Sequence, residues 1–221
     1  MTLKKLQQEF AVQHDDNDIT GLQSLSDRRF TTRHSAYSSL LKNFERLIEL
    51  LQSVNANDGD GKIKANATRL LDSTLKFKTF FACELSKDVF TAAEQISQNL
   101  QSGSLDAQTV SASVDMYVRF LKQMRTDGMF EKFYASCVSE SGDKHGCDPP
   151  QESVPRGRRV PKRYDEGAAA HQWNGPEKYF KVQYFQVLDF LSNEMTSHFD
   201  GGMLGKLEFG KILAGFRQWR E

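Results

Sequence analysis

The sequence is short of cysteine, proline and net charge. Cys83, Cys137 and Cys147 are the only cysteines among 221 residues, too few for a disulfide scaffold and odd in number, which points to a reducing compartment. Of five prolines, Pro149, Pro150, Pro155 and Pro161 fall within residues 139–172, so little elsewhere interrupts a helix. Lysine plus arginine equals aspartate plus glutamate at 29 each. The whole chain therefore exerts no pull toward nucleic acid or an acidic membrane surface, and any such attraction must be local. No apolar run approaches the roughly 18 residues of a membrane span. Lys4 and Lys5 lead into Gln7, Gln8 and Glu9, not into the apolar centre of a secretory signal. A soluble, intracellular protein with no membrane partner is expected.

What is present is phenylalanine and helical periodicity. Sixteen Phe and 38% hydrophobic residues suffice for a sizeable core, because Phe rings carry no polar handle and belong inside. The longest periodic stretch is Leu105–Tyr134, where Val110, Val114, Tyr117, Leu121 and Met124 recur at steps of three and four. This spacing predicts the central helix, with Ser104 as its N-cap and a break at Asp127-Gly128, after which Met129, Phe130, Phe133 and Tyr134 resume the stripe. Tyr37, Leu40, Leu41, Phe44, Leu47, Ile48 and Leu51 put one face on a second long helix beginning at Ser35. Residues 62–100 predict two helices or one bent helix, and 176–199 a helix with Pro176 in its first turn. In that last helix the apolar face is so wide that it should be the most deeply buried of all. Shorter amphipathic pieces occur at residues 2–12 and Leu204–Trp219.

The fold class expected is all-α, a multi-helix domain with one long irregular loop. Its parts would be a short helix and loop at 1–21, a helical domain at 22–138, a disordered or surface loop at 139–172, and C-terminal helices at 173–221 packing on the same domain.

Few residues offer chemistry. Asp15, Asp16 and Asp18 follow a short helix as a solvated turn. Asp58, Asp60, Gly61 and Ile63 match the middle of a calcium-binding loop, but the first and last ligand positions fall on Ala56 and Ala67, so a turn in which Asp60 or a neighbour caps a helix is expected. Cys83 is expected to be a small core residue. Cys137, His145, Cys147 and His171 lack the close pairs of a zinc site, so no metal and no cofactor is expected. The one dense basic cluster, Arg156–Arg163, contains Arg156, Arg158, Arg159, Lys162 and Arg163 and suits a nuclear import signal, a phosphate contact or a solvated loop.

Three islands together resemble one family, the hAT-superfamily transposases and the host proteins derived from them, especially the zinc finger MYM-type proteins. The first island is LQSLSDRRFTTRHSAYSSLLKNF, Leu22–Phe44, similar to the family's Ser-Asp-Thr-Arg-Trp stretch and the helix after it. The second, LSKDVFTAAEQISQNLQSGSLDAQTVSASVDMYVRFLKQMRTDGMFEKFY, is similar to its helix, turn and long helix. The third is KRYDEG followed by EKYFKVQYFQVLDFLSNEMTSHF, similar to its closing helix, with His198-Phe199 in place of the usual Arg-Phe.

This resemblance implies the helical domain that is inserted into the ribonuclease-H-like catalytic domain of such transposases. Their catalysis needs three carboxylates that hold two divalent cations for phosphodiester hydrolysis and strand transfer. The first two lie on strands upstream of the matched region and the third in a motif downstream; no counterpart is found before Leu22 or after Phe199. The chain is accordingly expected not to be an enzyme and to have no small-molecule substrate. It would act in the nucleus, or otherwise the cytoplasm, through helical faces that meet a protein partner or a second copy. The family's DNA-proximal Arg-Trp pair maps onto Arg29-Phe30, so a DNA-binding module using Arg28, Arg29, Phe30, Arg33 and the 156–163 cluster is the alternative.

Overall fold

The computed structural model describes residues 31–57, 60–101, 107–155 and 173–199, and every regular element in them is helical. In chain order these are α1 (Thr31–Lys42), α2 (Phe44–Asn57), α3 (Gly61–Thr74), α4 (Phe77–Gln101), α5 (Ala107–Met124), α6 (Asp127–Ser139) and α7 (Pro176–Phe199). A π-helical turn, Glu140–Lys144, and a 3₁₀ turn, Pro150–Ser153, lie between α6 and α7.

Local chemistry sets several helix ends. Asp60 caps α3, its carboxylate accepting from the Lys62 N–H at 2.9 Å, which is the capping role expected of that acidic turn. Thr126 caps α6, its hydroxyl accepting from the Met129 N–H at 3.4 Å. Because the chain breaks at Arg125 and Thr126, two residues before the expected Asp127-Gly128, Gly128 lies inside α6. Ser104, the expected cap of the preceding helix, lies outside the described residues.

The single helix expected from Ser35 divides at Asn43. That side chain is buried and donates from Nδ2 to the Ser39 carbonyl at 2.8 Å, the same oxygen that accepts the Asn43 N–H at 3.1 Å. A buried amide sharing a helical carbonyl with the backbone is the local feature at this division. Its consequence is that α2 presents two apolar faces. Phe44 and Ile48 enter the main core, while Leu47, Leu50, Leu51 and Val54 meet Ala67 of α3 in a second one.

The centre of the main core is α4, not the Leu105–Tyr134 stretch. Phe77, Phe80 and Phe81 sit on consecutive turns and are essentially inaccessible to solvent, and α4 packs against α1, α3, α5, α6 and the 3₁₀ turn. Phe77 meets Phe180 of α7 edge-on at 4.8 Å, Phe80 meets Phe44 of α2 at 5.4 Å, and Phe81 meets Phe133 of α6 at 5.3 Å. Offset and edge-on aromatic pairs of this kind add about 0.5–1.5 kcal/mol each beyond their area. The stripe of α5 is buried as its spacing predicts, from Val110 through Met124, but it supplies one wall of this core.

α7 shows a further departure. Phe180, Tyr184 and Leu188 face inward, and the Tyr184 hydroxyl donates to the Met124 carbonyl at 3.2 Å, tying α7 to the end of α5. Val187 and Phe190, however, are 41% and 62% exposed. The expectation of deepest burial fails because α5 and α6 cover one side of α7, and among the described residues nothing covers the other.

The long irregular loop expected at 139–172 is also corrected for its first half. Residues 139–155 are packed: Ser141 and Cys147 are buried, the Asp148 N–H donates to the Leu75 carbonyl at 2.7 Å, and the Lys78 N–H donates to the Ser153 hydroxyl at 3.2 Å. The periodicity signal fails here because the segment uses a π turn and a 3₁₀ turn, whose repeats differ from 3.6 residues. Residues 156–172, the expected helices at 2–12 and Leu204–Trp219, and the acidic run Asp15–Asp18 lie outside the described residues.

Candidate functional site

The residues named for nucleic-acid contact fall almost wholly outside what is described. Arg28, Arg29 and Phe30 precede α1, and Arg156, Arg158, Arg159, Lys162 and Arg163 lie in 156–172. Arg33 belongs to the first turn of α1, though its side chain is outside the described residues. Among the described residues, no basic groove is therefore assembled from the two expected groups.

Three other places carry polar or reactive side chains. The first is at the junction of α4 and the π turn, where burial opposes the charge of Lys87 but its pairing with Glu84, and then Asp88 and Glu140, raise its pKa on balance. The Cys137 thiol lies behind them. Burial above all, and then the carboxylates of Glu84, Glu140 and Asp88, push its pKa far above the ordinary range. A thiol held protonated in this way is a packing group and not a nucleophile. Burial likewise pushes Cys83 and Cys147 up to about 11.

These thiols give a direct check. With two of them raised from 9.0 to about 11, the thiolate fraction near neutral pH falls by about a hundredfold, and steric shielding slows attack further. Alkylation of the native chain should run at least ~100-fold slower than in denaturant. Labelling of Cys83 at the same rate in both states, read by peptide mass, would contradict its placement in the core.

The second place is around His145, whose ring lies against Phe44 at 4.9 Å and Phe80 at 5.3 Å. Desolvation holds its pKa below the ordinary imidazole value, against the opposing carboxylate of Glu45. No group of His, Cys, Asp and Glu with the geometry to hold a metal is found among the described residues. Cys137, His145 and Cys147 are thus core residues in this fold, each packed in or against the main cluster. His171 lies outside the described residues.

The third is the outer side of α7. Arg125 grips Asp189 with two hydrogen bonds, the Nη2 contact at 2.8 Å, while its guanidinium lies over the Phe185 ring at 4.7 Å. Lys181 pairs with Asp127 at 3.1 Å. These groups hold α7 against the α5–α6 corner and leave Val187 and Phe190 outside. Between residues 186 and 197 the charged residues are Asp189, held by Arg125, and the exposed Glu194. By contrast, the outer side of α3 carries Lys62, Lys64, Arg69 and Asp72.

Sequence reasoning passed over the Arg125–Asp189 clamp because its members are 64 positions apart. It also passed over the exposed strip of α7, since a helix apolar on nearly all sides looks buried when its neighbours are unknown. No protein-family model matches the chain, no curated protein is significantly similar to it, and no solved structure matches it.

Proposed function

We propose that this chain is a catalytically incomplete, hAT-transposase-derived helical interaction module of the nucleus, and that its contact face is the outer side of α7. The observation that carries the reading is an exposed Val187 and Phe190 on an otherwise well-docked helix, in a surround where Asp189 is neutralised by Arg125 and Glu194 is the other charge. Depletion of charge around aromatic anchors is the composition of a protein interface core, whereas a solvated helix face is rich in lysine and glutamate. The resemblance supports the same assignment, since the family's three carboxylates fall outside the matched segment.

The occupant most compatible with this face is a second copy. A chain with 29 basic and 29 acidic residues has no net charge to oppose self-association. Val187 and Phe190 are one turn apart, so antiparallel pairing of two α7 helices about a twofold axis sets each Phe190 against the second copy's Val187. Glu194 then falls opposite an uncharged Gln183 of that copy. Such a contact is isologous and closes on itself.

Sedimentation of the full chain is the test. A dimer that persists from low to high salt, and that Phe190→Glu converts to monomer with the helical circular dichroism unchanged, is expected. A monomer throughout the micromolar range would overturn the twofold contact. The DNA-binding alternative predicts duplex affinity that weakens steeply with salt, as counterion release requires. Binding of that kind, lost on neutralising Arg156, Arg158, Arg159, Lys162 and Arg163, would move the function to the basic cluster. Magnesium-dependent cleavage of a duplex, abolished by Asp58→Ala with Asp60→Ala, would overturn catalytic incompleteness.

A further inference from the structure

The segment from Glu140 to Ser153 is a strap laid across the corner where α3 turns into α4. Two hydrogen bonds tie it to that corner, the Asp148 N–H donating to the Leu75 carbonyl at 2.7 Å and the Ser153 hydroxyl accepting from the Lys78 N–H at 3.2 Å; within the strap the Cys147 N–H donates to the Ser141 carbonyl at 2.9 Å. Gly146, with φ of +60°, makes the turn that brings Cys147 back to the core, a conformation that costs an L side chain about 1–2 kcal/mol. Three of its side chains enter the protein: Ser141 and Cys147 are buried, and the imidazole of His145, in sequence between them, is wedged as a plug between Phe44 of α2 and Phe80 of α4 and only 11% exposed.

The plug is built for a neutral ring. His145 Nδ1 is shielded from solvent and makes no hydrogen bond; the nearest acidic oxygen, Glu45 Oε1, stands at 3.6 Å, beyond hydrogen-bonding reach. The Glu45 side chain is itself 61% exposed, so its attraction for a cation is screened by water. The charged groups acting on the ring are Glu45 from α2, Glu84 from α4, and Glu140 and Lys144 from the π turn. Two phenyl rings repay part of the cost of a buried cation by cation–π attraction, but not the lost hydration of the shielded Nδ1.

We propose that His145 is an acid-operated latch, whose protonation releases the Glu140–Ser153 strap from the α3–α4 corner while the helices beneath remain folded. The direction follows from linkage. Burial lowers the imidazole pKa in the latched state from 6.5, so the released state binds the proton more readily. Latch stability is complete above about 6.5 and is lost as pH falls below it through the latched-state value.

Hydrogen exchange of the full chain, with times scaled for intrinsic rate, tests this at about pH 7.5 and about pH 5, on either side of the free imidazole value. Amides of residues 141–153 should lose protection at the lower pH by up to about tenfold for each unit of pKa depression, while α4 and α5 keep theirs. His145→Phe retains an aromatic plug with no proton to accept, and its strap should be equally protected at both values. A strap indifferent to pH in the parent chain, or one that opens equally in His145→Phe, overturns the latch. So does a titration of His145 by nuclear magnetic resonance that places its pKa at or above 6.5, a readout that needs no variant.

Discussion

Replacing Phe77 with alanine should lower the free energy of unfolding by about 3–5 kcal/mol, among the largest effects expected of a single truncation among the described residues. The ring is wholly buried and touches aromatic side chains from its own helix and two others: Phe81 at 6.0 Å, Tyr134 at 5.8 Å and Phe180 at 4.8 Å. Removing it opens a void between α4, α6 and α7 that these neighbours cannot fill, because each ring is already fixed by others. Domain stabilities are about 5–15 kcal/mol, so a loss of this size consumes a large fraction of the total. Urea titration followed by circular dichroism reads it as a lower midpoint with the slope unchanged. A loss under about 1 kcal/mol would show that Phe77 is not in a close-packed core.

Leu51→Ala should cost about 2–4 kcal/mol, and its value lies in what happens to cooperativity. Leu51 is the fully buried centre of the second core between α2 and α3. That cluster meets the main one through Leu71, which packs against both, and through α2 itself, whose Phe44 and Ile48 lie in the main core. A shared helix should make the two cores unfold together. The variant is therefore expected to show one transition at a lower urea concentration with an unchanged slope. Two transitions, or a slope reduced by the share of surface in α2 and α3, would mean that this hairpin opens as a separate unit.

The all-helical character of the described residues was legible because periodicity reports one face of one helix without reference to any other. Val110, Val114, Tyr117, Leu121 and Met124 are all buried, as their spacing requires. Asp60 was legible for a similar reason, since a cap acts within three residues. What could not be read is relational. That α4 lies at the centre depends on which helices meet Phe77 and Phe80, and the second core depends on α3 folding back along α2. The division at Asn43 turns on one amide finding the Ser39 carbonyl, which no hydropathy pattern records. From the sequence alone His145 is only a member of a poorly spaced zinc set; its place in the fold comes from Phe44, 101 positions earlier, and Phe80, 65 positions earlier.

The strap also sets a schedule for synthesis. The Ser153 hydroxyl that accepts from the Lys78 N–H emerges 75 residues after it. At roughly 5–20 residues per second, the start of α4 waits about 4–15 s on the ribosome for this partner. Phe180, which closes over Phe77, arrives later still. During that interval Phe80 can already meet Phe44 of α2, but Phe77 and Phe81 lack the α6 and α7 rings that close over them. A pause or truncation in that interval would leave Phe77 and Phe81 without this cover.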